Sequence, residues 1–95
     1  MSFEWDSEKA AINKKKHALS FDTAYKVFND INRIEIYDAA HSIDEDRYIT
    51  IGCINGIDVI IYMVYTERTN TIRIISARKA TNYERRMYYD NKKNL

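Results

Sequence analysis

The sequence contains no proline, two glycines and a single cysteine. With neither proline nor much glycine, it has no composition for a linker, and no low-complexity tract or internal repeat is visible. The 95 residues are therefore read as one domain, residues 1–95, able to bury roughly 60–65 % of the unfolded chain's surface. The lone Cys53 excludes an internal disulfide and suits a reducing compartment. Its ordinary reading is a small apolar side chain in a strand. The longest apolar run, VIIYMVY at residues 59–65, falls far short of the ~20 residues of a membrane span. The opening MSFEWDSEK carries acids where a signal peptide needs a basic start and an apolar stretch. A cytoplasmic protein without membrane contact is expected. No His/Cys/Asp cluster has metal-ligand spacing, and there is no glycine-rich phosphate loop or nucleophile elbow. Neither a metal nor another cofactor is expected.

What is present is an ordinary globular balance, 45 % hydrophobic and 31 % charged. The net charge of +1 conceals a split. Residues 21–58 hold eight acids against three bases, and residues 67–95 hold eight bases against three acids. Lys14, Lys15 and Lys16 stand in a row before them. Charge runs are usually solvated faces, but segregation of this kind also suits an anionic partner.

The elements follow from local chemistry. SFEW reads as a short strand, and Asp6 can cap a helix over about 7–17 with Glu8 in its first turn. Ser20 can cap a second helix over about 21–29, whose Phe21, Ala24, Tyr25 and Phe28 recur at helical spacing. Residues 33–37 alternate as a strand, and the polar loop DAAHSIDED follows. RYITIGCI and IDVIIYMVYT, separated by Asn55-Gly56, carry the strongest short hairpin signal. Thr69-Asn70 turns the chain into TIRIISAR, and Thr81 with Glu84 forms a capping box for the last helix. The order β-α-α-β-β-β-β-α defines an α+β fold.

Several short motifs, kept in order across nearly the whole chain, resemble one family. They are Phe3-Glu4-Trp5-Asp6, Lys16-His17, Ser20-Phe21 with Ala24, His41 with Glu45 and Arg47, and Ile51-Gly52. Thr66-Glu67-Arg68 and the stretch from Arg73 to Arg78 with Ala80, Glu84, Arg85 and Tyr88 complete the set. This is similar to the BrnT family, the toxins of bacterial type II toxin–antitoxin operons. Ala18 stands where the family usually has glycine. The resemblance implies a RelE-like fold with a mostly antiparallel sheet, and a ribonuclease activity that arrests translation. It also implies neutralisation by a cognate BrnA-like antitoxin that binds DNA, so that contact of the toxin with DNA would be indirect.

RNA can be cut without metal because its own 2′-hydroxyl can attack the adjacent phosphate. The protein must then supply a base, a proton donor and cations for the extra charge. The stretch IRIISARKATNYERR, residues 72–86, concentrates such cations at the seam of the last strand and last helix. Arg73 and Arg78 are candidates for phosphate charge, and Arg47 and Arg68 for positioning. Histidine is the residue type that exchanges protons near neutral pH, and the chain has two, His17 and His41. His41 lies among Asp44, Glu45 and Asp46, which suits a proton donor. Lys16-His17 also has a bland reading, as cations favoured at a helix end. Glu84 is half of a capping box and can also orient Arg78 or Arg85. Ser76 joins Arg73 and Arg78 only if the strand bulges or ends near it, since a regular strand puts them on opposite faces. Lys16, Arg47, Arg68, Ser76, Arg85 and Tyr88 are candidates for RNA contact, guanidinium and aromatic planes being common grips on single strands. Tyr88 and Tyr89 cannot face the same way, so one belongs to the core. A non-catalytic module that binds RNA or antitoxin by charge is the rival reading. In a purely structural domain, the arginines would make only surface ion pairs.

Overall fold

A computed structural model describes residues 1–55 and 57–93. Its elements are β1 (Ser2–Glu4), α1 (Ser7–His17), α2 (Phe21–Ala24), β2 (Ile34–Tyr37), β3 (Arg47–Ile54), β4 (Val59–Arg68), β5 (Thr71–Lys79) and α3 (Asn82–Lys93). The strands form one sheet in the order β1-β5-β4-β3-β2. Neighbours are antiparallel except β1 and β5, which run parallel. The α+β order read from the sequence is the observed one.

Alternation along the strands decides which side chains meet the helices. Phe3, Trp5, Met63, Tyr65, Ile72 and Ile74 pack with Leu19, Phe21, Ala24 and Val27 of the N-terminal helical layer. On the opposite face Ile49, Ile51 and Ile60 pack against Tyr88 of α3. The first strand shows the alternation in miniature. Phe3 lies 5.1 Å from the Tyr25 ring and Trp5 5.9 Å from that of Phe21, while Glu4 between them faces away. Asp6 then caps α1 by accepting from the Glu8 and Lys9 N–H groups at 2.9 and 3.0 Å.

Helix α1 carries little apolar surface toward the sheet, and it is held instead by Asn13. That buried amide donates to the carbonyls of Leu19 (3.1 Å) and Ala77 (2.8 Å) and accepts from the Ala77 N–H at 3.1 Å. Because β1 pairs with β5 only as far as Arg73, the rest of β5 has a free edge there, and the side chain replaces a neighbouring strand. The helix ends at Ala18, which is left-handed at φ 55° and closes the last turn with its N–H on Lys14 O at 2.8 Å. An L side chain in this conformation is strained, so the position suits glycine. Ala18→Gly is expected to stabilise the fold by about 0.5–1 kcal/mol, the relief of strain being partly offset by unfolded-chain entropy. A urea titration showing no gain would contradict this.

Two expectations need correction. The helix predicted over 21–29 is α-helical only to Ala24 and continues as a 3-10 helix from Tyr25 to Asn29. The tighter winding ends with the Asp30 N–H on Val27 O at 3.0 Å and delivers Asp30 to the sheet edge. The two-residue hairpin predicted at Asn55-Gly56 is also wrong in length. Ile54 pairs with Val59, so residues 55–58 form the connection and Asp58 takes a positive φ of 51°. Gly56 itself lies outside the described residues. The Thr69-Asn70 turn has its expected two residues between paired Arg68 and Thr71, with Asn70 at φ 58°.

Gly52 sits where the helical layer comes closest to β3. A Cβ there would fall 2.7 Å from Val27 Cγ2 and 2.8 Å from Arg33 Cβ. Beside it, β3 runs past the end of its pairing with β2, and Asp30 covers the exposed edge. Its Oδ2 accepts from the Cys53 N–H (2.8 Å) and the Tyr88 hydroxyl (2.6 Å), and Oδ1 from the Asn32 N–H (2.9 Å). One carboxylate thus ties the helical layer, the sheet and α3 together. Burial pushes its pKa up, but the hydrogen bonds from Tyr88, Cys53 and Asn32 outweigh it and hold the group below its ordinary value. A carboxyl depressed in this way stabilises the fold above the unfolded pKa of about 4, and the contribution is lost as pH falls through the folded value. Glu84, depressed chiefly by its hydrogen bond from Arg78, adds to the same loss. The melting temperature is expected to fall steeply below about pH 4. Asp30→Asn, already weakened at neutral pH, should decline less over the same range. Parallel curves for the two proteins would remove Asp30 from the explanation.

Candidate functional site

The convergence that the sequence left open is decided by a β-bulge. Val64 pairs with Ser76 and Tyr65 with Ile74, leaving Ile75 as an extra residue in β5. Ile72, Ile74 and Ala77 consequently all point into the helix-side core. Arg73, Ser76 and Arg78 are therefore brought together on the other face, with Thr66, Val64 and Tyr62 of β4 directly opposite them. Arg47 of β3 pairs with Thr66 from its other side. Helix α3 covers only the part of this face near Ile51 and Ile60. The remainder presents Arg47, Arg68, Arg73 and Ser76 as a track.

Each arginine has its own setting. Arg73 is half-buried and donates from Nη1 to Glu4 Oε2 at 3.2 Å. Arg68 grips Glu45 with Nε (2.9 Å) and Nη2 (3.2 Å), an attraction that holds the Glu45 carboxyl below its ordinary range. Arg47 has no carboxylate within 4.0 Å among the described residues. Arg78 stacks on the Tyr62 ring, 4.0 Å from its centroid, and is held by both oxygens of Glu84 at 2.8 and 3.0 Å. Glu84 also accepts from the Thr81 N–H at 2.9 Å while Thr81 Oγ1 accepts from the Glu84 N–H, so the capping box and the arginine clamp coexist. Glu84 thus acts on the track through Arg78.

The histidines lie on opposite sides of β4. His17, with Lys16 beside it, lines a groove of about 210 Å³ between α1 and the bulge, shared with Ile75 and Ser76. His41 lines an open concavity of about 330 Å³ with Glu45 and Arg47. Its Nδ1 is 2.9 Å from Asp38 Oδ2, and Ser42 fixes the loop by accepting from the Arg47 N–H and donating to Asp38 O. Two nominated residues are not on the track. Arg85 lines a separate hollow with Asp58 and Lys79 at the far end of β4. Tyr88 is 2 % exposed and belongs to the core, because helical spacing aims it at the sheet, whereas Tyr89 is exposed. Its ring therefore offers no face to a base. The sequence reading did not single out Tyr62 or Asn13, and it quoted Glu4 and Thr66 only within motifs, without a role in the site. Thr66 was within reach, since the two-residue turn at Thr69-Asn70 sets it opposite Arg73.

This is a small α+β fold with an uncovered, arginine-lined sheet face flanked by two histidines. Among the described residues, no group of three His, Cys, Asp or Glu side chains could hold a metal ion. No helix among them is long and apolar enough to cross a membrane. The family described as the ribonuclease toxin, BrnT, of type II toxin–antitoxin systems matches residues 5–84, and the chain belongs to it. Membership brings with it an RNA substrate and an antitoxin partner. No curated protein sequence matches the chain.

Proposed function

We propose that the chain is a metal-independent endoribonuclease whose cleavage of mRNA halts translation, and that the arginine track is its active surface. The observation that carries this reading is the bulge at Ile75, which puts Arg73 and Ser76 on the open face beside Arg47 and Arg68. A 2′-hydroxyl attacks the adjacent phosphorus, the 5′-oxygen leaves, and the products end in a 2′,3′-cyclic phosphate and a 5′-hydroxyl. Arg73 with Arg47 neutralises the charge gained by the phosphate. His17 and His41 are the two groups of the chain suited to proton transfer, one toward the attacking 2′-hydroxyl and the other toward the leaving 5′-oxygen. Lys16, Arg68 and Ser76 hold the flanking strand, and Arg78, locked by Glu84, bounds the track. The antitoxin neutralises the enzyme by laying an acidic segment over the same arginines.

A binding module without catalysis is the second reading. The ion pairs of Arg68, Arg73 and Arg78 with carboxylates of this chain are instead what a purely structural domain would make. End-labelled single-stranded RNA incubated with the purified protein in EDTA separates the two. Discrete fragments ending in cyclic phosphate are expected. Intact RNA bound with a steep salt dependence would establish the module instead.

A further inference from the structure

Thr66 is 1 % exposed, and its Oγ1 is a buried side-chain oxygen with no hydrogen-bond partner among the described residues. The other threonine buried in the sheet shows how such a hydroxyl is normally satisfied. Thr50 Oγ1 donates to Ile34 O at 2.9 Å and accepts from Arg33 Nη1 at 3.1 Å. Valine fills the same volume as threonine and has the higher preference for a buried strand, so an unpaired hydroxyl at position 66 is a cost without a return inside the fold. Its surroundings point to where the return lies. Tyr65 belongs to the helix-side core, so Thr66 points to the open face, between Arg47 on β3 and Arg73 on β5. Directly opposed side chains in antiparallel strands start only about 5 Å apart. Arg47 and Arg73 are both half-buried residues, and Arg73 is restrained by one contact to the partly exposed Glu4.

We propose that Thr66 is a phosphate-binding residue. Its hydroxyl donates to a backbone phosphate of the RNA strand seated between Arg47 and Arg73, which takes the place of Glu4 on Arg73. The inference rests on the reading of the track as the RNA surface and adds to it the neutral donor at its floor. The two guanidiniums sit at the ends of long rotatable stems, whereas a short hydroxyl on a central strand fixes where one phosphate oxygen sits.

The test compares Thr66→Val and Thr66→Ser with wild type in three measurements. These are the single-turnover cleavage rate, the affinity for a 2′-deoxy-substituted oligonucleotide that cannot be cut, and the melting temperature. Thr66→Val is expected to cleave about ten- to a hundredfold more slowly, the range of a lost hydrogen bond to a charged group. It should also bind the oligonucleotide at least several-fold more weakly. Its melting temperature should be equal to or above that of wild type, a combination that a merely structural role would not produce. Thr66→Ser, which keeps the hydroxyl, should remain within a few-fold of wild type. Cleavage and binding by Thr66→Val within about twofold of wild type would overturn the proposal and leave the track reading intact. A wild-type protein that binds without cutting would sink the nuclease reading alone, and the affinities would then decide Thr66. A wild-type protein that neither binds nor cuts would end both.

Discussion

Arg73→Ala is expected to slow RNA cleavage by about 10²–10³-fold, the usual loss when one preorganised group facing developing charge is removed, with little change in melting temperature. The two halves of this expectation have different physical sources. Within the fold, Arg73 makes one ion pair with Glu4 at 3.2 Å between partly exposed side chains, an interaction worth well under ~1 kcal/mol. The guanidinium therefore adds almost nothing to stability. On the track it stands next to Thr66 and across β4 from Arg47, where a phosphate would gain a second negative charge during attack. Arg73→Lys keeps the charge but not the planar fork, and should recover part of the rate. Single-turnover rates beside thermal melts make the measurement. An Arg73→Ala protein that cuts at the wild-type rate would move the active surface elsewhere.

Asn13→Ala is expected to cost about 3 kcal/mol, since it leaves a buried N–H and two carbonyls without partners. Against a total stability on the order of 5–15 kcal/mol that is a large fraction. Three hydrogen bonds, to Leu19 O and to both backbone groups of Ala77, pass through this one amide. Asn13→Asp is close in volume but should be no better, because a carboxylate cannot donate to the two carbonyls and is repelled by them. Cleavage should fall as well, since α1 carries Lys16 and His17 to the edge of the bulge. Urea denaturation measures the first effect, and a loss below about 1 kcal/mol would mean that α1 docks by other contacts. Of the helix face turned to the sheet, Ala10 is the residue that packs on the apolar core, and Ile12 points into solvent at 65 % exposure.

These two residues mark the limits of sequence reading. Arg73 stood out because a charge between Ile72 and Ile74 requires either solvent or a ligand. Asn13 gave no such sign, being one polar residue among many on a polar helix. What makes it structural is the free edge of β5, sixty-four positions away in the chain.

The sequence by itself determined whatever depends on neighbours a few residues apart. Asp6 and Ser20 start their helices, Thr81 and Glu84 cap the last one, the strands alternate, and Thr69-Asn70 turns the chain. Those interactions are local, so the residue types involved carry their own geometry. The tertiary structure alone decided what depends on register and on contacts between distant segments. A bulge at Ile75 reversed the facing of everything after it, and no residue type announces a bulge. It brought Ser76 and Arg78 to the side of Arg73, while packing of α3 sent Tyr88 into the core and left Tyr89 outside. Side-chain direction in a strand has a period of two, so a single extra residue moves half a site from one face to the other.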